Sequence, residues 1–300
     1  MMGRWIALLL VCVVLGGCQT VKSQLGVPGG RTFRAALKTL DGATIAFWRW
    51  TPTAVPARKV LVIPELGFDH RLVASLCADL REQGFDTATL DSRESTQLPG
   101  DRTGLAGWLL DVARAVRAHG PKPYVVAIGV GGEAGLALAN LGAVAGVVAI
   151  NVPFHHELNN VALRQALAAY HYDPQAWLDT RYGPLLLGAG RSTPLDALEA
   201  LSRATVPVST ALQTDVEALL KDPSPVELPH VPMEVLLSVK DNFVPTEDAF
   251  PPDGHVLQGA RRLGRMEMFE RDYGHVEWLV DEDSLAEIAP AIVHALEALP

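Results

Sequence analysis

Between residues 59 and 150 the chain alternates short apolar runs with longer stretches whose apolar residues recur every three or four positions, and this rhythm limits the fold more than any other feature. Residues 60–63, 85–90, 124–128 and 146–150 suit strands buried on both faces. Between them, residues 70–83 place Leu72, Val73, Leu76, Cys77 and Leu80 on one helical face, closed by Gly84. Leu105, Leu109, Val112 and Val116 mark a second helical face that ends near Gly120, and a third helix follows Gly132. Strands joined by helices of this length predict a parallel sheet covered on both faces. The rhythm lapses near residue 153 and resumes at 233, with a strand at 233–239, a helix around 255–263, a strand at 265–271 and a closing helix at 284–299. Two alternating runs around Asp41-Gly42 predict a hairpin ahead of the first parallel strand.

The chain therefore divides into a core in two parts, residues 32–153 and 232–300, and an insertion at 154–231. An excursion that long between two sheet strands is a cap or lid rather than a bare loop. It is rich in Leu, Ala, Pro, His and Trp, with short helical stretches at 160–169 and 194–204. Residues 19–30, polar and rich in Gly and Pro, suggest a tether over 18–31.

Residues 1–17 have the form of a secretory signal: Arg4, an apolar run over 6–15, then small residues. The apolar run is shorter than the roughly 17 to 25 residues a membrane span needs. Leu15-Gly16-Gly17-Cys18 resembles the bacterial lipobox, which implies acylation of Cys18 and a lipid-anchored protein of the cell envelope. With Gln19 rather than Asp next to the cysteine, the resemblance implies an outer-membrane site facing the periplasm in a Gram-negative cell. Cleavage removes Cys12, so Cys77 is the one remaining thiol, and its helical position makes it a small core residue. The formal net charge of −9 offers phosphates no basic footprint and argues against a nucleic-acid partner.

In open parallel sheets ligands gather outside the carboxyl ends of the strands. Four stretches follow predicted strands: Pro64-Glu65-Leu66-Gly67, the glycine-rich segment from Gly129 to Gly135, Lys240-Asp241-Asn242, and Asp272-Tyr273-Gly274-His275. With the runs "VLVIPELGFDHRLVASLCADLREQGFDTATLDSRES" and "YVVAIGVGGEAGLAL", their order resembles the α/β-hydrolases, lipase-like and polyester-synthase-like members in particular, over residues 35–153 and 231–297. The resemblance implies an α/β fold with a mostly parallel central sheet, helices on both faces and an inserted helical cap. It also implies Asp241 as the acid and His275 as the general base, the carboxylate fixing the imidazole so that its other nitrogen can take a proton from an attacking hydroxyl. From the residues alone, Asp241 could equally shape a turn and His275 could be an ordinary loop histidine.

The nucleophile is missing. Laid without a gap on the Gly-His-Ser-Met-Gly-Gly of many members, Gly131 takes the serine's place, and no Ser, Cys, Thr or Asp lies between residues 129 and 138. Glu133, the one reactive side chain there, falls in the first turn of a helix, where the dipole favours a carboxylate by roughly 0.3 to 1 kcal/mol. Pro64-Glu65 replaces the family's His-Gly at the oxyanion loop, leaving the backbones of Leu66 and Gly132 as candidate donors. Asp91-Ser-Arg-Glu-Ser95 lacks the glycines that members show at that point. Ser92, Ser95, Ser192, Ser209 and Ser238 have no spacing that marks a nucleophile, and His155-His156-Glu157 lacks a metal-ligand pattern. The expectation is a domain with no metal or cofactor that binds a small apolar or acyl ligand, or docks an envelope partner, without serine-hydrolase activity. The alternative is an active esterase, lipase or acyl-transfer enzyme that uses a displaced nucleophile with Asp241 and His275.

Overall fold

A computed structural model describes residues 21–27, 30–53, 58–96, 104–154, 195–206, 208–219, 228–241, 243–244, 249, 251 and 257–300. Strand β1 (Val21–Val27) pairs antiparallel with β2 (Gly30–Lys38), so part of the expected tether is an edge strand. β2 and β3 (Thr44–Thr51) form the predicted hairpin, with Gly42 supplying a φ of 87° in the turn.

The parallel part follows the apolar runs closely: β4 (Lys59–Ile63), β5 (Asp86–Asp91), β6 (Tyr124–Ile128), β7 (Gly146–Ile150) and β8 (Met233–Ser238). A last strand, β9 (Leu257–Leu263), pairs parallel with β8. The described strands form one nine-stranded sheet in the order β1-β2-β3-β5-β4-β6-β7-β8-β9. β4 sits between β5 and β6, so the chain leaves it in one direction and returns on its other side; the crevice between β4 and β6 is a topological switch point.

Helices α1 (His70–Glu82), α2 (Arg93–Thr96), α3 (Gly104–His119) and α4 (Glu133–Asn140) follow β4, β5 and β6; α5 (Leu195–Ala204) and α6 (Thr210–Leu219) belong to the insertion; α7 (Glu277–Val280) and α8 (Glu282–Ala298) close the chain. α1 starts at Asp69, whose side chain accepts the Arg71 N–H, and buries the five residues named from its periodicity, Cys77 among them. Burial pushes the Cys77 thiol pKa up, away from reactivity. α5 packs on α1, and the end of α5 and the chain after it are tied to the loop after β4 by Asp69 N–H to the Ala204 carbonyl (2.9 Å) and Val206 N–H to the Gly67 carbonyl (2.8 Å).

Two expectations for the C-terminal part are corrected. The helix around 255–263 gives way to β9, and 265–271 holds no strand: Arg265–Glu267 is a single 3₁₀ turn. The insertion's other expected helix at 160–169, the signal, Cys18 and His155-His156-Glu157 lie outside the described residues. Among those described, no helix is long and apolar enough to cross a membrane.

Candidate active-site centre

β6 delivers the chain into a sharp bend, and the strained residue there is Gly129, with φ 54° and ψ −148°. Such backbone is nearly closed to residues bearing a Cβ, which is how a bend of this kind holds a side chain out into the crevice. This corrects the assignment of the nucleophile position to Gly131. Residues 130–132 form a 3₁₀ turn leading into α4, and a Cβ on Gly131 would lie 2.2 Å from the Pro64 carbonyl oxygen, pointed into backbone. A Cβ on Gly129 would instead point at the imidazole, 2.9 Å from His275 Nε2.

The volume in front of Gly129 is filled. That same Cβ would meet Glu65 Oε2 at 1.4 Å and Glu65 Cδ at 2.5 Å. Glu65, first after Pro64 at the end of β4, turns its carboxylate across the switch point, and the side chain is buried. Its oxygens accept from three backbone groups: Leu66 N–H at 2.6 Å, Val130 N–H at 3.1 Å and Gly131 N–H at 3.4 Å. Leu66 was a predicted oxyanion donor and does converge on this point. Gly132 does not, because its N–H bonds the Gly129 carbonyl at 3.1 Å; Val130 supplies the donor from the bend.

His275 closes the arrangement. Its Nδ1 lies 2.6 Å from Asp241 Oδ2 and its Nε2 lies 2.6 Å from Glu65 Oε2. An ionised carboxylate can only accept, so both ring nitrogens must donate and the ring is an imidazolium. Burial of the ring works against its charge, but the Asp241 and Glu65 carboxylates more than offset this and hold the pKa up to about 10. Asp241 is itself fixed, its Oδ1 accepting the N–H groups of Phe243 and Val244, each at 2.8 Å. The structure thus brings Asp241 and His275 together, while Glu65 stands where an attacking oxygen would.

Asn151, the residue after β7, carries a φ of 53° and ties this half of the site down. Its amide donates to Ser238 Oγ and to the His275 carbonyl, both at 2.9 Å, and its Oδ1 accepts Ser238 N–H at 2.7 Å. Ser238 is thereby a structural partner. Ser95 Oγ donates to the Ser92 carbonyl at 2.7 Å, and Ser209 Oγ accepts the Leu212 N–H at 3.1 Å, so these serines also serve local turns and caps. Trp108 Nε1–H reaches the Gly131 carbonyl at 3.0 Å and pins the bend from α3.

A second group of potential ligands, Asp69, His70 and Asp91, is gathered within 4.8 Å. Its oxygens are engaged: Asp91 accepts from Trp48 Nε1, His70 N and His70 Nδ1 at 2.7 to 2.8 Å, and Asp69 caps α1 and pairs with Arg71. It fastens α1 to β3 and β5.

With the geometry in place, solved structures supply the comparison. The chain superposes on an esterase from Exiguobacterium antarcticum with a TM-score of 0.68 at 14% identity, over 87% of this chain and 98% of that one. A bromoperoxidase from Bacillus anthracis gives 0.63 at 16% identity, over 88% and 99%. The bottromycin epimerase BotH, solved with bottromycin A2, gives 0.61 at 17% identity, over 87% and 98%. The chain has the α/β-hydrolase fold. No family model matches it, and no curated protein matches it in sequence. Within the α/β-hydrolase fold its bend carries glycine, and the N–H groups of Leu66, Val130 and Gly131 hold a side chain of the chain itself. These neighbours are named for three different reactions, so the shared fold does not fix the chemistry.

Proposed function

We propose that this α/β-hydrolase-fold domain does not carry out serine hydrolysis and serves as a binding or partner-docking domain of the cell envelope, anchored through an acylated Cys18. One observation carries the reading: the volume in front of Gly129, where a nucleophile would project, holds the Glu65 carboxylate. Acyl transfer needs a nucleophile, a base with a free lone pair, and an open pair of N–H donors for the oxyanion. Gly129 supplies no nucleophile, His275 has both nitrogens committed as donors, and Glu65 takes the backbone N–H groups. The ligand would be a small apolar or acyl molecule admitted beneath the insertion, or the insertion itself would dock a protein partner.

A second reading, an active hydrolase with a displaced nucleophile, draws on the esterase-like neighbours and on the reactive oxygen of Glu65 2.6 Å from His275. Its weakness is that Glu65 would have to attack a carbonyl while vacating the very N–H groups that must stabilise the oxyanion. The full chain in detergent, treated with a fluorophosphonate probe and with p-nitrophenyl esters, is expected to show no labelled serine and no hydrolysis above buffer. Hydroxylamine trapping of an acylated Glu65 during ester turnover would establish the second reading and reject the first.

A further inference from the structure

The Glu65 carboxylate is bound as a ligand would be bound. Four donors from three separate parts of the chain converge on its two oxygens: the N–H of Leu66 after β4, the N–H groups of Val130 and Gly131 at the bend after β6, and Nε2–H of His275. All three side-chain groups involved, Glu65, His275 and Asp241, are buried, and α4 begins directly behind the bend with its N-terminus toward the site. Three of the donors come from backbone held by the sheet and by Trp108, and the fourth, His275, is fixed from behind by Asp241, so their placement does not depend on the Glu65 side chain.

We propose that these four donors form a binding site for a small monocarboxylate whose resident occupant in this chain is Glu65, and that free formate or acetate takes the site once that side chain is shortened. In the wild-type chain a carboxylate ligand enters only by displacing Glu65, which makes Glu65 a tethered competitor. The inference rests on the non-hydrolytic reading above, since it requires that the Glu65 carboxylate is held as an ion and not consumed. No bond forms or breaks in the exchange.

The test uses Glu65→Ala in the full chain, with sodium acetate or sodium formate compared against sodium chloride at equal ionic strength and pH 7. A ligand at a hundredfold excess over its Kd raises the Tm of a domain this size by about 5 to 10 °C. That rise is expected for Glu65→Ala with formate and acetate and not with the bulkier pivalate, while the wild-type Tm is expected to be the same in acetate and chloride. A Glu65→Ala chain whose Tm does not distinguish acetate from chloride overturns the proposal. Proton NMR of the wild-type chain gives a check that needs no variant. Two downfield imidazole N–H signals from His275 at pH 7 are expected, one against each carboxylate, and a single signal would overturn the proposal even if Glu65→Ala failed to fold. Neither readout involves turnover, so fluorophosphonate labelling of the wild type would reject the non-hydrolytic reading separately.

Discussion

Arg93 and His275 occupy electrostatically equivalent places, each a buried cation between two carboxylates from distant parts of the chain. Arg93, at the start of α2, forks onto Asp111 of α3 with Nε and Nη2 at 2.9 and 2.7 Å and reaches Asp41 of the β2–β3 turn at 2.5 Å. His275 links Asp241 after β8 to Glu65 after β4. Guanidinium does not lose its proton in proteins, so the first cluster is a fastener whose cation persists at any working pH. Imidazolium can lose its proton, and its cluster lies at the switch point where this fold collects ligands. The same arrangement of charges is therefore permanent where only structure is at stake and reversible at the centre of the crevice.

The largest effect should come from undoing what separates the His275 cluster from a working centre. Glu65→Gly combined with Gly129→Ser removes the carboxylate from in front of the bend and places a hydroxyl facing His275 Nε2. Stoichiometric fluorophosphonate labelling at position 129 is expected in the double variant and in neither single one, because Gly129→Ser alone drives its Cβ into Glu65. A folded double variant that stays unlabelled would mean the Asp241–His275 half is a fastener like Arg93. Gly131→Ser is expected to destabilise without gaining labelling, since its Cβ meets the Pro64 carbonyl.

Next in size is Arg93→Met. Asp111, fully buried, would lose its cation, and breaking a buried pair by removing one partner costs about 3 to 5 kcal/mol. Denaturant melts should register that loss at pH 7 and most fully at pH 10, because burial already holds the Asp111 pKa up to about 6 and protonation can relieve part of the cost only at the lower pH. The His275 cluster should respond to pH in the opposite sense. Its pKa is 6.5 as an ordinary histidine and about 10 in the folded chain. A cation favoured by folding contributes stability that is complete below about pH 6.5 and is lost as pH rises through about 10, on the order of a few kcal/mol. The wild-type stability minus that of His275→Asn should therefore shrink across this window. A difference that stays constant to pH 10 would show that the ring is neutral and that Glu65 holds it in another way.

The sequence made these two clusters legible to different degrees. The parallel strands and α1 could be read because residues buried on both faces, or on one helical stripe, leave an unambiguous period. Asp241 could be placed because it follows a predicted strand, and His275 because of its position in the order of the resembled family's motifs, although the strand expected at 265–271 just before it is absent. Residues 257–263 could not, since Leu257, Ala260 and Leu263 have helical spacing, and pairing with β8 decides for a strand. At the bend, four glycines within seven residues allow more than one frame, and the backbone angles single out Gly129. Glu65 stands in an apolar loop, which marks it as a buried charge but does not say that its partner lies 210 residues further along. That pairing exists only once β4, β6, β7 and β8 are laid in that order in the sheet. The stretch that holds Arg93 stood out for lacking the glycines of a family pattern, without a hint that Asp41 and Asp111 flank the arginine.

The smallest expected effect lies at Asn151, and it separates positioning from charge. Its side chain makes three hydrogen bonds, one of them to the His275 backbone, while its own backbone sits at φ 53°, where asparagine and glycine are tolerated better than alanine. Asn151→Ala should cost about 2 kcal/mol from the lost bonds and the Ser238 N–H left buried without its acceptor, plus a strain that Asn151→Gly avoids. Melts of the pair should therefore rank glycine above alanine. In both variants the imidazolium keeps its two carboxylates, so the pH window of the His275 contribution should remain where it is in the wild type. If that window moves toward pH 6.5 in either variant, Asn151 governs how closely His275 meets Glu65, and the cluster is held from the β7 side as much as by its own charges.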